Sequence, residues 1–134
     1  MYERSRKFII PLKPLAWKRA GLSGKHFFDQ QQQDKLAFGL YLKQQMNSTP
    51  PFNTICSVDM TFFVEIPKSK PKRQSYYWAP CHSDLDNFVK FVLDTCVQSD
   101  ILSDDHLVCA LIAKKVYDVE PRTEFTIADL NILF

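Results

Sequence analysis

From Leu85 onward the apolar side chains Leu85, Phe88, Val89, Val92, Leu93 and Cys96 recur at i, i+3, i+4, i+7, i+8 and i+11, the spacing of one face of a helix. The pattern predicts an amphipathic helix that runs to about Val97 and must lie on a core. Along the edge of its buried stripe, Asp86, Lys90 and Asp94 form a row one turn apart. Asp84, if it were helical, would point nearly opposite Asp86. The two carboxylates can therefore converge only if Asp84 stands at the helix start with non-helical backbone, a place for which Ser83 competes as N-cap. Taken singly, these acids are ordinary. A helix start favours negative charge, and an exposed Asp86–Lys90 pair contributes only about 0.3 to 0.5 kcal/mol.

A helix of this kind needs a sheet or another helix to cover. Ser57 to Glu65 supplies the clearest strand: Val58, Met60, Phe62 and Val64 alternate with polar residues, so one face is buried. Phe63 interrupts the polar face and marks a place where a helix or a partner subunit packs. Phe8 to Leu12 reads as a short strand ending at prolines, and Leu107 to Tyr117 as another. A turn at Asp118 to Pro121 leads to a returning strand from Arg122 to about Leu133, an antiparallel hairpin with a bulge or strand end near Asp129. A second helix is expected over 29–46, with Asp29 and Gln32 as a capping pair and Leu36, Ala37, Phe38, Leu40, Tyr41 and Leu42 as its apolar side. Asn47 to Phe52 is a connecting loop. With 134 residues, 46% of them hydrophobic, these elements make one α/β domain with a real core.

Two connecting segments are basic and aromatic. Lys13 to Arg19 places Lys13, Lys18 and Arg19 around Trp17, in a loop that continues through Gly21 and Gly24 to His26. Pro67 to Pro80 carries Lys68, Lys70, Lys72 and Arg73, followed by Tyr76, Tyr77 and Trp78. Cations at such spacing neutralise phosphates, and consecutive aromatics stack on unpaired bases. The net charge of +2 is too small to make the whole chain a nucleic-acid sponge, so the distribution carries the argument. The four cysteines show no Cys-x-x-Cys spacing, and Cys96 and Cys109 fall on apolar faces, which predicts buried thiols without disulfides. Nothing resembles a signal peptide or a membrane span, so a cytoplasmic protein is expected.

The acids and the lysine combine into a recognisable chemistry. Asp84, Asp86, one of Asp104 and Asp105, and Lys90 are a minimal set for metal-dependent phosphodiester hydrolysis. Mg²⁺ takes oxygen ligands, needs few protein carboxylates, and relieves the repulsion among them. Such an ion lowers the pKa of a bound water, and Lys90 can orient that water or stabilise the anionic transition state. Zinc is a weaker reading, since Cys81, His82, His106 and Cys109 lack zinc-site spacing. A binding module whose aspartates serve only as caps is the alternative to an enzyme. No helix-turn-helix or other base-reading motif is present.

Asp84-Leu85-Asp86-Asn87-x-x-Lys90, with Asp104-Asp105 before a strand, resembles the RusA family of Holliday junction resolvases. The early Pro-x-Lys-Pro-x-x-Trp-Lys-Arg loop, the helix from Asp29, the basic loop before the motif and Lys115-Val116-Tyr117 follow that family's order over nearly the whole chain. The resemblance implies a single α/β domain over 1–134, with a mixed sheet of about four strands and two main helices. It also implies a homodimer, dependence on Mg²⁺ with Mn²⁺ able to substitute, paired symmetric nicks across four-way or other branched DNA, and a phage or prophage setting. By it, Asp84, Asp86 and Asp105 hold the metal, Lys90 is the catalytic lysine, and Asp104 supports or caps. One departure is local: the family often places Lys-Pro or Arg before the first aspartate, where this chain has Cys81, His82 and Ser83. A protonated His82 would substitute for that cation.

Overall fold

The computed structural model describes residues 4–19, 21–24, 26–69 and 77–130. It shows a small α/β fold, with two helices laid on one face of a mixed sheet. The strands are β1 (Ser5–Ile10), a small separate hairpin of β2 (Gly21–Ser23) and β3 (His26–Phe28), β4 (Cys56–Glu65), β5 (Tyr77–Trp78), β6 (Val108–Asp118) and β7 (Arg122–Asp129). The helices are α1 (Gln32–Met46) and α2 (Leu85–Gln98), and a single 3₁₀ turn, Asp105–Leu107, precedes β6. The main sheet has the order β1-β7-β4-β6-β5. Residues 131–134, the expected end of the last strand, lie outside the described residues, and β7 stops at Asp129 where the alternation shifts.

β4 is the centre of the sheet because its alternation lets both of its edges be paired while one face stays apolar. It runs parallel to β6 and antiparallel to β7. The two C-terminal strands run antiparallel to one another through the turn at 119–121, as the sequence predicts, and the sheet inserts β4 between them. The crossing is strapped by Arg122. Its guanidinium lies 3.6 Å from the Phe63 ring centroid and bonds Asp118 and Glu124 at 3.0 and 2.5 Å. Phe63, which interrupts the polar face, is buried with Arg122 over its ring. Desolvation raises the Glu124 pKa, but the hydrogen bonds from Arg122 and Lys7 outweigh it and leave the net shift downward.

The helix-covered face is aromatic. Phe88 of α2 stacks on Phe62 of β4 at 5.1 Å, Phe91 meets Phe38 of α1 edge-on at 5.6 Å, and Phe8 stacks on Phe125 at 4.9 Å. All six rings are buried. The predicted helix 85–97 is observed almost to the residue. The β4–α2–β6 unit is a parallel crossover, so α2 runs back against the strand direction.

Four expectations change. The capping pair at Asp29 and Gln32 is not formed, because Gln31 occupies the N-cap and Asp29 instead accepts from the Gln31 N–H and the buried Lys35. Leu36 and Leu40 are exposed, since α1 turns Lys35, Phe38, Gly39, Leu42 and Met46 inward. Tyr77 and Trp78 leave the long loop to pair with Tyr117 and Val116 at the edge of β6. All four cysteines are free, as expected, but Cys109 is exposed, on a strand whose first half is mostly exposed. Among the described residues, no helix is long and apolar enough to cross a membrane.

Two outcomes follow. Phe91→Ala removes a fully buried ring at the junction of both helices and is expected to lower stability by about 3 to 5 kcal/mol, read from urea unfolding. The Lys35 hydrogen bond, followed by that of Gln31, holds the Asp29 carboxyl below its ordinary value. Its stabilising contribution is therefore present above the unfolded-state pKa and lost as pH falls through the lower folded value. Asp29→Asn should flatten the acid limb of the stability–pH curve measured by thermal unfolding.

Candidate active site

The start of α2 is built by three separate anchors. Asp84 is the N-cap, with extended backbone (φ −71°, ψ 139°), so it does not continue the helical wheel. That is the condition under which its carboxylate can share a side with Asp86. Its side chain makes no capping hydrogen bond, and one Asp86 oxygen accepts from the Asn87 N–H at 3.0 Å. Both acids are exposed. Ser83 does not compete for the cap. Its carbonyl, with that of Cys81, instead accepts from the Lys115 ammonium at 2.7 and 3.2 Å. The corner that lacks a cation in the local sequence thus receives one from β6.

The second anchor is the basic loop after β1. The Trp17 N–H donates to the Asn87 carbonyl at 2.8 Å, and the Trp17 ring, partly buried against the core, lies 4.8 Å from the Lys90 ammonium. That distance is a cation–π contact, and it fixes Lys90 on the solvent side of α2 one turn beyond Asp86. The third anchor is Gln31, only 2% exposed. Its amide donates to the Ala16 carbonyl and accepts from the Lys18 N–H, at 2.9 and 2.8 Å. A buried side chain that satisfies two loop backbone groups holds the loop against α2. Within the glutamine run, nothing in the sequence distinguishes Gln31 from its neighbours.

Other expected residues are placed as follows. Lys18, Arg19, Lys68 and His82 are exposed. Lys13 is exposed too, but pairs with Glu65 at 2.8 Å. Trp78 is 72% exposed at the sheet edge. Lys70, Lys72, Arg73 and Tyr76 lie outside the described residues, as does the Tyr77 side chain. Asp104 caps the 3₁₀ turn by accepting from the His106 N–H, and pairs with the His106 ring at 3.1 Å. The His106 hydrogen bonds hold its carboxyl below the usual range. Asp105, the next residue, is exposed.

The first two turns of α2 and its N-cap carry Asp84, Asp86 and Lys90, and Asp105 stands beyond the other end of the helix. Lys115 marks the Asp84 end of β6, while Asp105 precedes Val108 at the opposite end. Those two ends are seven steps apart along the strand, roughly 23 Å at about 3.3 Å per residue. Among the described residues, no group of three His, Cys, Asp or Glu side chains could hold a metal ion. The zinc reading therefore finds no support there. The two carboxylates at the start of α2 are hard oxygen donors and suit Mg²⁺ in chemistry, though two acids alone make a weak site.

The family model for endodeoxyribonuclease RusA matches residues 11–128, and so takes in every element from the Trp17 loop to β7. The chain is also 33% identical over 78 residues to a crossover junction endodeoxyribonuclease rusA of Lactococcus phage r1t. That similarity covers 58% of this chain and 57% of the phage protein.

Lys115→Met retains the aliphatic stem but removes both bonds to the loop. It is expected to cost about 1.5 to 3 kcal/mol and to speed amide exchange at residues 82–86 in hydrogen–deuterium exchange, with the core strands unaffected at short times.

Proposed function

The chain belongs to the RusA endodeoxyribonuclease family, and from that premise we propose that it is a Mg²⁺-dependent, structure-selective DNA endonuclease. Its substrates would be four-way and other branched DNA, cut by paired symmetric nicks during recombination and repair in the cytoplasm. The observation that carries this reading is the exposed Asp84–Asp86–Lys90 group at the start of α2, with the loop that bears Lys18 and Arg19 anchored to it through Trp17.

Each residue has a chemical task. Asp84 and Asp86 would hold the divalent ion, Mn²⁺ offers the same preference for oxygen, and Asp105, the third metal-binding acid that the family resemblance implies, stands at the far end of β6 within one chain. When bound, such an ion supplies a water of lowered pKa and neutralises charge on the scissile phosphate. Lys90, held over Trp17, offers a fixed ammonium for the developing phosphorane charge, a preorganised donor that need not reorganise as charge builds up. Lys18, Arg19, Lys68 and His82 would contact flanking phosphates, together with Lys13 if it exchanges Glu65 for DNA. Such contacts position the duplex without reading its sequence. Lys70, Lys72 and Arg73, with Tyr76, Tyr77 and Trp78, would extend the contact to unpaired strands at a branch.

A non-catalytic branched-DNA-binding module of the same fold is the second reading. It is favoured by one observation, that the described residues of a single chain assemble no three-donor metal group.

Incubating purified protein with a synthetic four-way junction, with and without Mg²⁺, distinguishes the two. Asp86→Asn is expected to retain junction binding and to lose cutting by at least about 100-fold, and Lys90→Ala by about 10²- to 10³-fold. If the wild-type protein binds the junction but cuts no better than Asp86→Asn in Mg²⁺, the nuclease reading is wrong. Binding should also weaken steeply with salt, as phosphate contacts require.

A further inference from the structure

Lys90 stands where two ion pairs are open to it and makes neither. Asp86 lies one turn before it on α2 and Asp94 one turn after, the i, i+4 spacing at which a lysine and an aspartate meet on a helix surface. None of the ion pairs among the described residues joins Lys90 to either acid. The ammonium lies instead 4.8 Å from the centroid of the Trp17 ring. Exposed ion pairs are weak, and an aromatic face competes with them for a lysine whose charged head stays in water.

The ring can compete because its own place does not depend on Lys90. Its backbone is tied at three consecutive residues. The Gln31 amide donates to the Ala16 carbonyl at 2.9 Å, the Trp17 N–H donates to the Asn87 carbonyl at 2.8 Å, and the Lys18 N–H donates to the Gln31 side-chain oxygen at 2.8 Å. Gln31 is buried, and its own N–H donates to Asp29. The Trp17 ring packs partly buried against the core. A ring held in this way needs no ordering when the ammonium settles on it, so the contact costs only the freedom of the lysine.

We infer that Trp17 is a positioning residue for the reaction, acting through Lys90. By drawing the ammonium onto its ring, it leaves Asp86 uncompensated. An aspartate already paired with a lysine offers a divalent ion less charge, whereas free carboxylates at Asp84 and Asp86 repel one another and gain from a bound cation. The same contact keeps Lys90 in one place with its three donors unspent on carboxylates, available to the phosphate being cut. The inference rests on the nuclease reading for the roles of Asp86 and Lys90, and on the Trp17 contact for its geometry.

Single-turnover cutting of a four-way junction, measured beside junction binding, tests the role. Trp17→Leu keeps an apolar side chain for the core but offers no aromatic face. It is expected to slow cutting by about 10- to 100-fold. It should also raise the Mg²⁺ concentration needed for half-maximal rate, and leave the junction Kd within about twofold. Trp17→Phe retains a face and is expected to stay within about threefold of the wild-type rate. In a Lys90→Ala background, Trp17→Leu should cost no more than about twofold further, because the residue it acts through is gone. An equal loss in that background, a Trp17→Phe protein as slow as Trp17→Leu, or a Trp17→Leu protein that cuts like the wild type would overturn the proposal.

A second measurement depends neither on cutting nor on how well the Trp17 variants fold. In wild-type protein with labelled lysine, the Trp17 ring current is expected to displace the Lys90 ε-methylene protons upfield, the resonance being assigned by its loss in Lys90→Ala. Asp86→Asn should leave it in place. A Lys90 resonance at the ordinary lysine position, or one that moves on Asp86→Asn, places the ammonium on the acid and removes the positioning role. Wild-type cutting in the first assay shows that such a failure belongs to Trp17 and not to the nuclease reading. A protein that shows the displaced resonance but cuts no junction refutes the nuclease reading, and the proposal with it.

Discussion

The packing of α2 against β4 is the contact on which the rest of the molecule depends. Phe88 on Phe62 and Phe91 on Phe38 bury rings from one face of a single helix against the sheet and against α1. Losing that contact would leave both the sheet face and the second helix without cover. The same contact sets direction. A helix joining two parallel strands must run back along them, so the start of α2 lies at the carboxyl ends of β4 and β6 and its end at their beginnings. The positions of Asp84, Asp86 and Asp105 follow from that geometry and not from their closeness in sequence.

Around this framework, polar groups act at a distance from the acids they position. Gln31, buried, ties the Trp17 loop down through two backbone groups, and the Trp17 N–H in turn bonds the first turn of α2. Lys115 reaches from the sheet to the loop before Asp84. The Asp29–Lys35 pair holds the start of α1, from which Gln31 projects. None of these groups needs to touch a substrate. Each removes freedom from the segment it holds, the support a site on loop and helix termini requires.

The electrostatic layout fits a polyanion better than the modest net charge suggests. Exposed lysines and arginines gather on the loop beside Lys90, and the helix start adds its own positive dipole end. Aspartates placed in such surroundings would be ordinary caps if they bonded the helix amides. Asp104 does so for the 3₁₀ turn, whereas Asp84 does not. That difference separates a structural aspartate from one left free for other work.

Periodicity determined α2, β4 and the end of β7 near Asp129, because burial of one face imposes a period that local sequence must carry, whereas the first strand, expected over Phe8 to Leu12 from its flanking charges and prolines, lies at Ser5–Ile10. It also made Asp84 the residue whose backbone had to leave the helix, and the motif around it identified the family. Other features were invisible locally. Which strands flank β4, why Gln31 and not Gln32 is the cap, and how Lys115 serves the Cys81–Ser83 corner depend on residues distant in sequence. Cys109 and the apolar run through Ile112 read as core from their composition. Only the sheet order leaves them exposed, because an apolar strand cannot by itself record whether its second edge is met by its own chain. The sequence therefore carried the residue types of the candidate site, at the start of a helix and before a strand. The tertiary structure alone decided which of those acids share a side of the molecule, because a parallel crossover places the two ends of its helix at opposite ends of the sheet.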